Sequence, residues 1–321
     1  MVDECRHVPV DTGGTVGTYV LGRRLGAGGM GAVYETHVNG RNVAIKVPYC
    51  ETLESHNAGR RFRDEGIAGS IIEHPNVVRV YEHGESAGIP YVVMEQVDGE
   101  RLCAKVAREG GISLRRAATI VGQILNGLAA LHAAGIVHGD VKSDNVLVGD
   151  DGLVKLIDFG LAHPDLEGRP TLPRTRDVVS GTPDYMAPEV IRGADSTAAS
   201  DTYAAGVILY ELVTGVTPFA GGSSTEIVNR HLREPVLPPS LRRPDREVPP
   251  ILERIIMRAL EKDPAKRFAS AASFASALCV AIPSLCEDEV LVTSFSTSTP
   301  THNWNVRDTL ARGTPASRRA R

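Results

Sequence analysis

His138-Gly139-Asp140-Val141-Lys142-Ser143-Asp144-Asn145 is the most informative stretch of this chain, and it runs directly into apolar Val146-Leu147-Val148. It spaces a histidine, an acid, a lysine and an amide as H-x-D-x-K-x-x-N on one short segment. Asp158-Phe159-Gly160 follows thirteen residues after Asn145, and Ala187-Pro188-Glu189 lies beyond it. Short motifs occur by chance one at a time, whereas several in fixed order at proper spacing are highly specific.

Upstream, Gly26-Ala27-Gly28-Gly29-Met30-Gly31-Ala32-Val33 gives G-x-G-x-x-G followed by x-V. Glycines let backbone N–H groups close over phosphates without Cβ obstruction. A dinucleotide-binding fold uses the same glycines but needs a helix next; here Val33-Tyr34-Glu35 leads into Val43-Ala44-Ile45-Lys46, a strand signal. Lys46 lies fifteen residues beyond Gly31 and is one of only six lysines. Its functional reading is a point charge on nucleotide phosphates, and its competing reading a surface lysine on an edge strand. A carboxylate on the following helix would hold it. Glu65, in Phe62-Arg63-Asp64-Glu65-Gly66, is the candidate, with Asp64 a competitor. Gly66 and Gly69 should each weaken that helix by roughly 0.5–1 kcal/mol relative to alanine, which suggests a mobile regulatory element.

On these motifs residues 19 to 280 resemble the protein kinase superfamily, most closely bacterial eukaryotic-like Ser/Thr kinases. The resemblance implies an α+β, bilobal fold with a small β-rich N-lobe carrying one helix and a larger, mainly helical C-lobe. It implies ATP and Mg²⁺ or Mn²⁺ as cofactors and protein Ser/Thr hydroxyls, this chain's own included, as acceptors. Asp140 would orient and accept the proton of the attacking hydroxyl, Lys142 would sit by the transferred phosphate, and Asn145 and Asp158 would bind the metal. Lys46, paired with Glu65, would hold the α- and β-phosphates. Leu25 and the loop Gly26, Ala27, Gly28, Gly29, Met30 and Gly31 would cover the nucleotide, Val33, Ala44 and Leu147 would sandwich adenine, and Met94, Glu95 and Val97 would form gatekeeper and hinge. Asp201 resembles the residue that braces the catalytic-loop backbone, Arg267 the partner of Glu189, and Thr182 the family threonine that bonds the catalytic Asp and Lys. Lys142 and the Gly181-Thr182-Pro183-Asp184-Tyr185-Met186-Ala187-Pro188-Glu189 segment are similar to Ser/Thr-specific members.

The rest of the chain agrees with an enzyme. It has 321 residues, 42% of them hydrophobic, and a formal charge of only −4, enough apolar content for a large core and no basic footprint for nucleic acid. Five scattered cysteines, without a Cys-x-x-Cys pair, indicate neither a disulfide framework nor a zinc site. Without a signal peptide or an apolar run long enough to span a bilayer, a cytoplasmic protein with no membrane partner is expected. Oligomeric state is left open.

Residues 1–18 read as a flexible start, 19–97 as N-lobe and hinge, 98–280 as C-lobe, and 281–321 as a Ser/Thr-rich tail. Compact structure is expected from Tyr19, a helix over 58–72, a long amphipathic helix from Ser113 to Gly135 with Ser113 as its cap, and a buried helix from Tyr203 to Val213.

Gly139 stands where the family usually has an arginine that pairs with a phosphorylated activation loop, so activity should depend little on Thr171, Thr175 or Ser180, with Arg174 and Arg176 nearby. Two other readings exist. His-Gly-Asp with a later Asn also resembles aminoglycoside and choline kinases, which lack the segment around Thr182 and the Asp201 and Arg267 pair. A nucleotide-binding pseudokinase scaffold would have lost one of Lys46, Asp140 or Asp158.

Overall fold

Alternating apolar residues along two long strands, joined by an Asn-Gly turn, organise the first part of the chain. The computed structural model describes residues 13–54, 56–158, 163–164 and 183–285. These form two compact units, one of residues 13–70 and 79–96, the other of residues 71–78 and 97–285.

The first unit contains β1 (Thr15–Val16), β2 (Tyr19–Val20), β3 (Arg24–Ala27), β4 (Gly31–Val38), β5 (Arg41–Pro48), α1 (Cys50–Glu54), α2 (His56–Ile71), β6 (Val80–Ser86) and β7 (Ile89–Glu95). Its five-stranded sheet runs in the order β3-β4-β5-β7-β6, antiparallel throughout. Asn39 and Gly40, at φ 53° and 77°, make the two-residue turn between β4 and β5 that an Asn-Gly pair favours.

The period-2 alternation gives this sheet two different faces. Ala32, Tyr34, Val43, Ile45, Val47 and Val93 share a core with Val16, Tyr19 and Leu21. The opposite face carries Val33 paired with Lys46, Lys46 with Val92, and Ala44 with Met94. Helix α2 lies on that second face, where Phe62 is fully buried with Val80 and Val92. The pleat alone therefore separates a structural face from a face bearing the candidate nucleotide residues.

Two details differ from the sequence reading. Structure begins before Tyr19, because β1 pairs with β2 and Val16 is buried. The short α1 adds a second helical segment to the one expected; five residues are too few to show a helical period, and its Thr52 hydroxyl is anchored on the Met30 carbonyl at 2.8 Å.

The second unit contains β8 (Glu100–Arg101), α3 (Leu102–Glu109), α4 (Leu114–Ala133), β9 (Ile136–Val137), β10 (Val146–Val148), β11 (Val154–Leu156), β12 (His163–Pro164), α5 (Pro188–Ile191), α6 (Ala198–Thr214), α7 (Ser224–Arg233), α8 (Pro239–Arg242), α9 (Pro250–Ala259) and α10 (Ala271–Ala281). Ala117, Ile120, Val121, Ile124, Leu125, Leu128 and Leu131 recur at three- and four-residue spacing along α4, and all are buried. Ser113 precedes α4 without a side-chain cap bond, and Gly135 follows it at φ 72°. Helix α6 starts five residues before Tyr203, capped by a reciprocal Thr197–Ser200 box, and its polar first turn hid that start from a hydrophobicity reading.

Residues 71–78, read from sequence with the first unit, belong to the second. Val78 N–H donates to Leu156 O at 2.9 Å, and Asn76 Nδ2 donates to Val154 O and Gln123 Oε1 at 2.9 and 3.0 Å. At the far end, structure continues past 280: Leu285 is buried and its carbonyl accepts from Arg115 Nη2 at 2.9 Å. Among the described residues, no helix is long and apolar enough to cross a membrane.

Candidate active site

In the first unit, the glycine loop is the turn between β3 and β4, closed by Gly28 N–H donating to Gly31 O at 2.9 Å. Gly31 is required sterically, since a Cβ there would lie 2.2 Å from Val47 O, whereas one at Gly29 would meet nothing. The carbonyl of Met30 accepts from Tyr49 N–H and the Thr52 hydroxyl, and the Met30 side chain packs against the Phe62 cluster. Leu25 is partly exposed, Val33 half-buried and Ala44 buried.

Lys46 projects from β5 toward α2, where its Nζ lies 2.7 and 2.8 Å from the two Glu65 carboxylate oxygens. Both side chains are almost fully buried, and breaking such a pair from one side leaves an uncompensated charge. Asp64, the competitor, pairs instead with Arg60 on its own helix at 3.7 Å. Gly66 has a packing reason invisible in sequence: a Cβ there would sit 2.9 Å from His83 Cβ and 3.0 Å from Val92 Cγ2. At Glu95 the N–H is engaged by Arg79 O at 2.8 Å.

In the second unit, Asp140, Lys142 and Asn145 converge. Lys142 Nζ donates to Asp140 Oδ2 at 2.7 Å, and Asn145 Nδ2 donates to the same oxygen at 3.0 Å and to Asp140 O at 2.9 Å. With its amide nitrogen turned to Asp140, Asn145 presents its oxygen the other way. Ile157 N–H donates to Asn145 O at 2.9 Å, which ties the loop to the chain leading into Asp158. Asp158 itself stands at φ 67°, a left-handed conformation that costs a non-glycine residue on the order of 1 kcal/mol. Leu147 is half-buried between fully buried neighbours, and Val97 is partly buried.

Behind this loop, Asp201 collects three donors: His138 N–H and Gly139 N–H at 2.9 Å each and His132 Nε2 at 2.8 Å. A carboxylate only 1% exposed is thereby satisfied through the backbone of the loop it supports. Gly139 holds φ 75°, which glycine adopts without strain. Arg267, 2% exposed, forks onto Glu189 with two bonds of 2.7 Å, bonds Glu261 O, and lies 4.7 Å over the Tyr203 ring. The geometry is a bidentate buried pair, not a surface arginine.

Sequence reasoning missed several residues here. His132 is one. Asp144 is partly buried, and its carbonyl accepts from Arg101 at 2.8 Å. Ser143, Tyr185 and Glu211 form a buried polar cluster, in which burial pushes Glu211 up to about 7. Phe159, Gly160, Thr171, Arg174, Thr175, Arg176, Ser180 and Thr182 lie outside the described residues.

The donor chemistry suits one class of metal. Among the described residues no cluster of three or more His, Cys, Asp or Glu could hold an ion, whereas Asn145 and Asp158 offer hard oxygens. Mg²⁺ is commonly held this way, by one or two protein oxygens completed by substrate phosphates and water. The residues therefore fit the group.

The Protein kinase domain family matches residues 19–278. This chain belongs to that family. It is 40% identical over 271 residues to the serine/threonine-protein kinase PknA of Mycobacterium tuberculosis, which covers 82% of this chain and 61% of that protein. Over 263 residues it is 38% identical to the serine/threonine-protein kinase pkn3 of Myxococcus xanthus, covering 79% of this chain and 48% of that one. The chain therefore spans about half to three-fifths of these relatives' length. The crystal structure of the Mycobacterium tuberculosis PknI kinase domain resembles it with a TM-score of 0.65 at 28% identity, covering 84% of this chain and 98% of that domain.

Proposed function

We propose that this kinase-family chain is an active serine/threonine protein kinase, moving the γ-phosphate of Mg-ATP to Ser or Thr hydroxyls of proteins, itself included. The observation that carries the reading is the convergence of Asp140, Lys142 and Asn145 on a loop braced by buried Asp201. Family membership brings ATP and a divalent ion with it; the names of the relatives support the Ser/Thr preference.

Phosphoryl transfer leaves the protein little covalent work, so positioning and charge do most of it. Asp140 orients the acceptor hydroxyl and takes its proton. Lys142, already at hydrogen-bond distance from Asp140, offsets charge on the transferred group. Asn145 and Asp158 would hold the metal, and Lys46, fixed by Glu65, would steady the α- and β-phosphates. The ion supplies neutralisation of phosphate charge. Glu95 and Val97 offer main-chain groups to adenine, and Leu25, Val33, Ala44, Met94 and Leu147 offer apolar surface. All described cysteines are free, which supports a reducing, cytoplasmic setting.

The test is transfer from labelled ATP, with Mg²⁺ and then Mn²⁺, to the protein and to a generic protein acceptor, comparing wild type with Asp140→Asn and Asp158→Ala. Label on Ser or Thr that disappears in both variants is expected. ATP binding without transfer to any protein would overturn the reading in favour of a scaffold, or of a metabolite kinase if a small alcohol is labelled instead.

A further inference from the structure

Arg101 has no part in the roles above. It ends β8 and leads into α3 with extended backbone, φ −63° and ψ 135°. The register of β8 on β10 sets Arg101 opposite Leu147 and Glu100 opposite Val148. Directly opposed residues of an antiparallel pair share a face, and neighbours along one strand take opposite faces. Arg101 therefore leaves the sheet on the face of Leu147, the residue proposed above to meet adenine, and Glu100 leaves on the other. The Arg101 side chain ends at the catalytic loop, where Nη1 donates to Asp144 O at 2.8 Å, one residue before Asn145.

The side chain is exposed and yet pinned, and its charge is unanswered. The group that pins it is a neutral carbonyl; among the described residues this is its one hydrogen bond, and no carboxylate pairs with it. The two carboxylates nearest in sequence and structure are committed elsewhere. Glu100 takes Arg108 Nη2 at 2.7 Å and lies 3.8 Å from Lys105 Nζ, while the Asp144 carboxylate faces the Cys103 thiol. Lys142, the other cation of this loop, is occupied by Asp140 at 2.7 Å. What remains is a solvent-facing guanidinium of fixed position beside the loop whose Asp140 is proposed to receive the acceptor's proton. A side chain already held in place loses little freedom when it binds, so the fork is set for a ligand.

We propose that Arg101 is a specificity-determining residue of the kinase, reading an acidic side chain of the protein acceptor a few residues from the phosphorylated Ser or Thr. This deepens the kinase reading and rests on it. A carboxylate answers the spare charge and matches the planar donor fork. A ribose hydroxyl of the nucleotide would accept a bond but leave the charge standing, and the phosphates have Lys46, Lys142 and the metal ion proposed for them already.

The experiment uses a series of synthetic peptides with a single Ser, in which one Glu, Ala or Lys is walked through the positions on either side of it. Wild type, Arg101→Ala and Arg101→Glu are compared by kcat/KM for each peptide and by KM for ATP. Wild type should favour Glu over Ala at one position by roughly fivefold, the size of an exposed charge pair, and added salt should shrink the preference. Arg101→Ala should level the series, and Arg101→Glu should favour Lys at that same position, with KM for ATP unchanged throughout. The reversal is what a merely structural arginine would not give, since loosening the loop slows every peptide alike. A wild type without a preference at any position, a preference that survives in Arg101→Glu, a uniform loss over all peptides, or an effect confined to KM for ATP would each overturn the assignment. Binding of the same peptides, fluorescently labelled and followed by anisotropy, needs no turnover: an inactive wild type would sink the kinase reading, while the charge reversal in binding would still decide the role of Arg101.

Discussion

Two regions of this molecule carry candidate catalytic charges, and they are secured in opposite ways. In the first unit Lys46 is held by one ion pair to Glu65, whose helix rests on the sheet through Phe62 and the close approach at Gly66. In the second unit the segment bearing Asp140 is gripped from below by Asp201, from behind by Ser143 and Tyr185, and from the side by Ile157. The first arrangement fails if one helix moves. The second is over-determined, so losing one contact should leave the rest in place. Control by small conformational shifts has far more purchase on the first than on the second.

The largest effect expected is on chemistry alone. Asp140→Asn should lower transfer on the order of 10²–10⁴-fold while nucleotide affinity and the urea unfolding midpoint stay put. Activity within a few-fold of wild type would remove Asp140 from its role.

Asp201→Ala attacks the platform itself. Two loop N–H groups and His132 lose a buried acceptor, and unfolding free energy should fall by about 3–5 kcal/mol in urea denaturation. A loss below about 1 kcal/mol would show that the loop is held without its brace.

A pH series tests the same platform through Glu211. Burial raises its folded pKa from 4.5 to about 7, so the folded state holds that proton more tightly than the unfolded chain. The stabilisation is complete below 4.5 and is lost as pH climbs toward about 7, up to ~3 kcal/mol in all. The difference in unfolding free energy between wild type and Glu211→Gln should therefore shift against wild type over that window; a pH-independent difference contradicts the assignment.

Glu65→Gln probes the weaker half. It keeps the shape but leaves Lys46 facing a neutral amide, and should cost roughly 1–3 kcal/mol with a raised KM for ATP. If exchange in 140–146 also speeds up in this variant, the two halves are energetically coupled and the contrast drawn above is too sharp. The smallest signal is exchange across 62–72 in the nucleotide-free protein, expected to be faster than in α4. Full protection there would make both halves equally rigid.

The residues proposed to carry the chemistry, Lys46, Asp140, Lys142, Asn145 and Asp158, stood out in the sequence as candidates because they sit in ordered motifs whose spacing is short and fixed. The long apolar period of α4 was equally plain. The supports were harder to see. His132 and Asp201 are 69 positions apart and Ser143 and Glu211 are 68 apart, so no local pattern joins them. The start of α6 hid behind polar residues that turn out to be buried, and β1 hid in a glycine-rich stretch where two paired residues leave no period to count. Asp158's left-handed backbone is set by its surroundings and has no sequence mark at all.

Gly66 carries a lesson for anyone wishing to make this domain more heat-resistant. A common recipe replaces glycines inside helices by alanine, and by propensity alone this one should gain up to about 1 kcal/mol. Here the added methyl would strike His83 and Val92 and wedge α2 off its sheet, drawing Glu65 away from Lys46. A library selected for thermal tolerance and one selected for turnover should therefore both keep glycine at this position, against the rule of thumb.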